Sequence, residues 1–448
     1  MYLKNYRMRI LISFFAIVIF ASGTYFSYLK LNEIYLKIKK KNDQIFNMQV
    51  TINELKRRGF YKEFTQNEIY NLDGKKVFDI YKFNLPFEDD LQSKWPLGYI
   101  EKFQENLLYM TSDGKLSYYK NFFPYEFGNL NKKHNTTKIN TNFNEFDISN
   151  NDKNECVNIN DYVGANGNSY FNRPIRDTLV LNGDLYVAMI NINKKNNSCF
   201  LSTKVLKGEI DLNQNNISFE IFFEIDYEVD LYDPRLIDTH TGGVMAVRDN
   251  KILLGYPDYG IALLAQKNDN PFGKIIEITS TNEYKIISLG NRNPQGLFYD
   301  EEEKLIFETE HGPEGGDEIN LIKQGKNYGW PIASYYRDDP PYKFTKSREH
   351  KSLGFEEPLW AVKSRKEWDF NIGPSRIIKF NGKYLVLSMS WAWDSGHGIL
   401  EYERSRDKFN LINKYHLFSR VRDILNIEDK YLIAVLESTN EIIIMKSK

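Results

Sequence analysis

The order of apolar and polar positions divides the chain into stretches with different periods. Residues 10–29 carry no charge, are rich in Ile, Leu, Phe and Val, and are bounded by Arg9 and Lys30. A run of that length spans a bilayer as one helix. A cleaved signal peptide is the rival reading, but the run exceeds a typical h-region and Ala21-Ser22-Gly23 is a poor cleavage site. Leu31, Ile34, Ile38, Ile45, Met48, Ile52 and Leu55 then recur at heptad a and d spacing, interrupted by Lys41. That spacing predicts a coiled-coil stalk over 30–58, or one amphipathic helix lying on the domain that follows, with Gly59 ending it.

Beyond residue 90 the pattern changes to a short apolar strand, a polar turn holding Asn, Asp or Gly, and a second apolar strand. It recurs at 98–119, 176–190, 243–256, 296–309, 375–388 and 422–436. Each unit reads as the two inner strands of a sheet, and sheets packed radially cover one another's faces and leave few open edges. The expected fold is therefore all-β: a six-bladed β-propeller over 90–448, preceded by a short tail (1–9), the transmembrane anchor (10–29) and the coiled-coil helix. Unequal spacing predicts long insertions between blades, where ligands usually bind. The Asn- and Lys-rich stretch 129–154 lacks apolar periodicity and reads as a mobile surface loop.

Composition agrees with a strand-rich core, since aromatics reach 15% of residues while Pro numbers only 14. Lys and Arg total 59 against 60 Asp and Glu, so no global field recruits nucleic acid, and none is expected as a partner. Basic residues flank the apolar span on both sides, which leaves its orientation open. Cys156 and Cys199 are too few and too far apart for a zinc site; one disulfide and two buried thiols are both open.

Chemistry-bearing residues concentrate between the fourth and fifth units: Gly290-Asn291-Arg292-Asn293-Pro294-Gln295-Gly296, Glu310-His311-Gly312-Pro313-Glu314-Gly315-Gly316-Asp317-Glu318-Ile319-Asn320, and Gly325-Lys326-Asn327-Tyr328-Gly329-Trp330-Pro331. Gly312 and Pro313 can turn backbone carbonyls into a cavity, and with Glu310, Asp317 or Glu318 could offer Ca²⁺ its preferred oxygen ligands. An ordinary tight turn with solvated carboxylates fits the same spacing.

In this order and spacing the three segments resemble the glucose/sorbosone dehydrogenase family, whose members depend on pyrroloquinoline quinone (PQQ). The resemblance implies a six-bladed propeller with PQQ on its top face, Ca²⁺ bridging the quinone, and oxidation of an aldose at C1. His240, in Asp238-Thr239-His240-Thr241-Gly242-Gly243, matches the catalytic base, with Asp238 to orient it although the family places the acid directly before the His. Arg292 and Asn293 match the pair on the quinone oxygens. Arg420 and Arg422 match a basic pair that holds cofactor carboxylates; guanidinium forks suit that task, and residues two apart on a strand face one way. Read without the family, that pair is a strand end salt-bridged to Asp423. Gly312 and Pro313 match the carbonyls that bind the cofactor calcium, and Glu318 and Tyr328 a second, structural calcium site.

Three departures stand out. Asn172-Arg173-Pro174-Ile175-Arg176-Asp177 replaces the family's Gln-Gly-Gly, Ser390-Trp391-Ala392-Trp393 replaces a lysine for which Arg376 is the nearest substitute, and Val244 replaces an arginine. The resemblance thus implies a quinoprotein oxidising an aldose or related polyol by hydride transfer to PQQ and passing electrons to a membrane or periplasmic acceptor. The propeller is then expected on the periplasmic side of the inner membrane, with the stalk able to join copies into a homo-oligomer. The alternatives are a membrane-anchored binding or assembly module that has lost the cofactor, and a lactonase-like metal hydrolase, which needs carboxylates from several blades converging on the central channel.

Overall fold

The computed structural model describes residues 68–70, 76–84, 98–123, 136–146, 174–195 and 198–447, apart from 226, 232, 238, 314, 336–345, 348–349, 363–371, 390–396, 418 and 438–440. The expected span and stalk lie outside the described residues, among which no helix is long and apolar enough to cross a membrane.

Strands dominate, and each of the six sequence units supplies the first two strands of its own sheet of four or five strands, antiparallel except for the short parallel edges Asn216–Ile217 and Lys326–Asn327. The inner strands are Gly98–Phe103, Ile175–Leu181, Val244–Arg248, Pro294–Asp300, Pro374–Phe380 and Val421–Ile427. They touch one another in chain order and the last returns to the first, which closes a ring of six blades. The propeller expectation therefore holds.

Period-two alternation with both faces apolar is what a blade sandwiched between two others requires. In the second blade Leu185, Val187 and Met189 pack on the first blade, while Tyr186, Ala188 and Ile190 pack on the third. Fully buried Leu254 belongs to the latter cluster, and its truncation to Ala should cost about 2–5 kcal/mol.

Ring closure falls to a strand that the hairpin search passed over. Lys76–Asn84 pairs antiparallel with Glu441–Ser447, from Phe78 opposite Ser447 to Asn84 opposite Glu441, and Glu68–Tyr70 adds outside it. The propeller thus reaches back beyond residue 90. Lys76–Asn84 joins this sheet through the far end of the chain, and only short Glu68–Tyr70 pairs with it locally.

Four inner strands begin with a register shift, between Ile175 and Asp177, Pro294 and Gly296, Pro374 and Ile377, and Val421 and Asp423. Bulges re-aim side chains at the end of a sheet, here toward the channel. Asp177 Oδ2 accepts the Met245 N–H of the next blade at 2.7 Å, and Asp423 Oδ2 accepts the Ile100 N–H at 2.8 Å. Arg376 lies between them, bonded to Asp177 Oδ1 and, at 2.6 Å, to Asp423 Oδ1. Carboxylates of three blades, Glu101, Asp177 and Asp423, thus gather round a guanidinium of a fourth, which supplies the countercharge that a hydrolase would draw from a metal. Arg376 is engaged in this staple and does not stand in for the family's lysine.

Cys199 is disulfide-bonded; the chain's other cysteine, Cys156, lies outside the described residues.

Candidate functional site

His240 precedes the inner strand of the third blade, and Asp258 follows its second strand, Lys251–Tyr256. The hairpin pairs Val244 with Gly255, so residues just outside its two ends meet. His240 Nδ1 lies 2.8 Å from Asp258 Oδ1. Asp258 is fully buried and also accepts the Gly260 N–H (2.8 Å) and the Trp330 indole N–H (2.7 Å). Burial works to raise its pKa, but His240 and Arg292 outweigh it and hold the carboxyl below its usual range.

On the other side of the ring, Arg292 Nη2 donates to His240 Nε2 at 2.6 Å. A guanidinium has only donors, so Nε2 offers its lone pair and the ring proton sits on Nδ1, toward Asp258. Burial, then the charge of Arg292, push the His240 pKa down against the pull of Asp258. The imidazole is therefore neutral at pH 7, in the tautomer that a base acting through Nε2 needs.

Arg292 is held on all sides. Its backbone N–H and that of Asn293 (3.3 Å) donate to Glu310 Oε2, its Nη1 reaches the carbonyls of His311 (2.6 Å) and Gly312 (2.9 Å), and its guanidinium lies 5.1 Å from the Trp330 ring centroid. Its Nε is buried without an acceptor among the described residues. Asn293 turns away from this cluster: its Oδ1 accepts the Gly242 N–H (3.1 Å) and its Nδ2 donates to Thr239 O (3.4 Å), which braces the loop carrying His240. Asp238 lies outside the described residues, and the carboxylate that orients the ring is Asp258.

The turn after Glu310 closes tightly. A Cβ on Gly312 would stand 2.1 Å from Gly315 O, and Gly316 adopts φ +73° with Tyr335 O where its Cβ would be. Asp317 staples the turn by accepting Gly312 N–H (3.1 Å) and Gly373 N–H (2.8 Å), so it is not a free metal ligand. Pro313 follows, half-buried.

Glu318 belongs to a buried trio with Glu308 and Glu310, all reached by Asn320 Nδ2 at 3.0–3.5 Å. Burial first, then mutual repulsion, raise Glu308 and Glu318 well above the carboxylate range, while burial lifts Glu310 to about 7. Burial and mutual repulsion thus favour proton uptake by the trio. The Tyr328 phenol donates to Leu321 O and accepts Lys323 N–H, so a metal role for this residue falls to its carbonyl. Among the described residues no group of three or more His, Cys, Asp or Glu is arranged to hold a metal ion. A water-sized pocket nonetheless joins Arg292, Gly312, Glu318, Tyr328 and Trp330.

The basic pair lies apart from these residues. Arg420 Nε and Arg422 Nε donate to the two oxygens of fully buried Glu437, at 2.8 and 2.7 Å. The acid at this strand end is therefore Glu437, not Asp423, which faces Arg376. Arg422 lines a second water-sized pocket with Tyr99, Arg176, Asp177, Gln295 and Arg376. Gln295 links the two halves, bonded to Asn293 Oδ1 (3.0 Å) and reached by Arg422 Nη1 (3.5 Å).

Sequence reasoning missed Asp258, Trp330 and Glu437. A usable signal existed for the two acids, since each stands at the far mouth of a hairpin whose near mouth carries its partner.

The fold has close relatives. The soluble aldose sugar dehydrogenase of Escherichia coli in its apo form superposes with a TM-score of 0.58 at 18% identity, covering 82% of this chain and all of that one. The PQQ-bound aldose sugar dehydrogenase of Streptomyces coelicolor superposes with a TM-score of 0.54 at 16% identity, covering 83% and 98%. In sequence, aldose sugar dehydrogenase YliI of E. coli K12 is 39% identical over 96 residues, 21% of this chain and 25% of that protein. Quinoprotein glucose dehydrogenase B of Acinetobacter calcoaceticus is 51% identical over 59 residues, 13% and 12%. These two alignments span a quarter or less of the relatives' lengths. The Glucose / Sorbosone dehydrogenase family model matches residues 181–445, more than half of the chain, and this protein belongs to that family.

Proposed function

We propose that the chain is a quinoprotein dehydrogenase that oxidises an aldose or related polyol at C1. The observation that carries the reading is the buried Asp258–His240–Arg292 chain, in which a neutral imidazole turns its Nε2 lone pair toward a guanidinium. His240 takes the proton of the C1 hydroxyl, and Asp258 steadies the imidazolium that results. PQQ, when bound, supplies the two-electron oxidant that accepts the C1 hydride.

The residues fit that cofactor. Arg292 keeps a buried N–H without an acceptor, which suits a quinone oxygen, and its charge favours the more anionic reduced form. Arg420 and Arg422 would face the cofactor's carboxylates, with Glu437 fixing both through Nε. The Gly312 and Pro313 carbonyls would hold a calcium ion at the quinone, and Glu318 with the Tyr328 carbonyl a second; the first fit rests on a cation, Arg292, already lying against the Gly312 oxygen.

A second reading, a propeller that binds partners without cofactor, draws support from the charge Glu437 removes from the arginine pair. The proposal also places the propeller outside the cytoplasm on the 10–29 anchor, with the stalk as an oligomerisation element; the support is sequence alone. A reporter fused after Lys448 and active only in the cytoplasm would reverse that assignment.

The deciding experiment titrates the full-length protein with PQQ and Ca²⁺ and follows cofactor absorbance as aldoses and polyols are added. Saturable binding with sugar-dependent reduction is expected. A folded protein that binds no PQQ would leave the binding-module reading.

A further inference from the structure

Building on the quinoprotein reading, we propose that Arg292 is a tethered cation that holds the metal position in the cofactor-free protein and caps the base, so that metal and cofactor enter by displacing it. One guanidinium here meets two groups with separate tasks. Nη1 donates to the carbonyls of His311 and Gly312 at 2.6 and 2.9 Å, and Nη2 closes the His240 Nε2 lone pair at 2.6 Å. A calcium ion on Gly312 O would sit about 2.3–2.6 Å from that oxygen, on the atom Nη1 now approaches. Two positive charges would then share one oxygen inside a cavity walled by buried side chains, where little water screens them.

The pose is supported from behind. Asp258 binds both the His240 ring and the Trp330 indole, and the Trp330 ring faces the guanidinium. Glu310 fixes the backbone at Arg292 and Asn293, so the side chain turns while its anchor stays. Two consequences follow. The metal alone binds weakly, because the guanidinium lying against Gly312 O repels it; an anionic quinone draws Arg292 away, frees the carbonyl and uncaps Nε2. The base is thus uncovered only when the oxidant is in place.

The test measures CaCl₂ binding by calorimetry to the full-length, cofactor-free protein in a Glu318→Gln background, so that the Gly312 position alone is read. Arg292→Gln should tighten Ca²⁺ binding by at least about tenfold, while Arg292→Lys, which keeps the charge, should stay within about twofold of the parent. An independent readout uses ¹⁵N-histidine spectra of the native chain. The His240 Nε2 resonance should stay put with Ca²⁺ alone and move when PQQ is added with Ca²⁺. Equal Ca²⁺ affinity in the parent and Arg292→Gln, with PQQ still binding, overturns the inference and leaves the quinoprotein reading intact. Absence of PQQ binding to the native chain at any Ca²⁺ concentration overturns both.

Discussion

Replacing Arg376 with Met should destabilise the propeller in a pH-dependent way. The guanidinium ties Asp177 and Asp423, whose side chains are 3% and 0% exposed, while its own is 19% exposed. Methionine fills much of the space but strands two carboxylates that share no other cationic hydrogen-bond donor among the described contacts. Breaking a buried pair by removing one partner costs about 3–5 kcal/mol. The sign with pH follows from the carboxyls. Burial already raises Asp177 to about 6, raises Asp423, and lifts Glu101 well above its usual value, each against the lowering pull of Arg376. With a folded pKa above the unfolded one, an acid's contribution is fully present below the unfolded pKa and lost as pH rises through the folded pKa. Without Arg376 those folded values climb further, so the deficit should be near its full size at pH 7.5 and shrink markedly by pH 5. Urea unfolding of Arg376→Met and the parent at both pH values measures it, with Lys383→Ala, from an exposed ion pair, as the control expected to change by less than about 1 kcal/mol. A deficit below about 1 kcal/mol, or one identical at the two pH values, would refute the reasoning.

Three further outcomes are expected. His240→Ala should lower turnover by about 10²–10⁴-fold while PQQ affinity, measured by absorbance titration, changes little; loss of both would make His240 structural. Asp258→Asn removes the charge that raises the His240 pKa, so the acid limb of the kcat/KM profile should move to lower pH while the rate falls; an unmoved limb would detach it from His240. Arg420→Ala with Arg422→Ala should weaken PQQ binding and, by stranding Glu437, cost about 3–5 kcal/mol in urea unfolding; unchanged quinone affinity would remove the pair from the cofactor site.

How far the sequence could be read depended on which contacts are local. All six hairpins were legible because each blade's two inner strands are consecutive, and period-two alternation follows from packing between neighbouring blades. The strand Lys76–Asn84 was not, because its main pairing closes the ring against Glu441–Ser447 and its local partner, Glu68–Tyr70, is only three residues long. The site divides along the same line. His240, Arg292 and Gly312 sit in recognisable segments and the fold brings them into one cluster, whereas the acid on His240 Nδ1, Asp258, lies 18 residues away in sequence.

Hairpin arithmetic would have found it. Asp258 stands 18 residues after His240, Glu310 stands 18 after Arg292, and Glu437 stands 17 after Arg420. In each case a functional residue precedes an inner strand and an acid ends or follows the strand paired with it. An antiparallel hairpin returns the chain to its starting end, so the two mouths face each other at the same rim of the blade. Third and sixth blades thus repeat one device, a cationic or basic side chain held by an acid that its own hairpin delivers, while in the fourth the acid holds the backbone N–H of Arg292 instead. Trp330 lies on no such hairpin; it reaches Asp258 from the segment after the fourth blade's third strand, Glu318–Ile322, across 72 residues, and the packing of the fourth blade against the third makes that contact. Side chains set by one hairpin are therefore open to prediction from spacing, while those that lock one blade's site to the next require the assembled propeller.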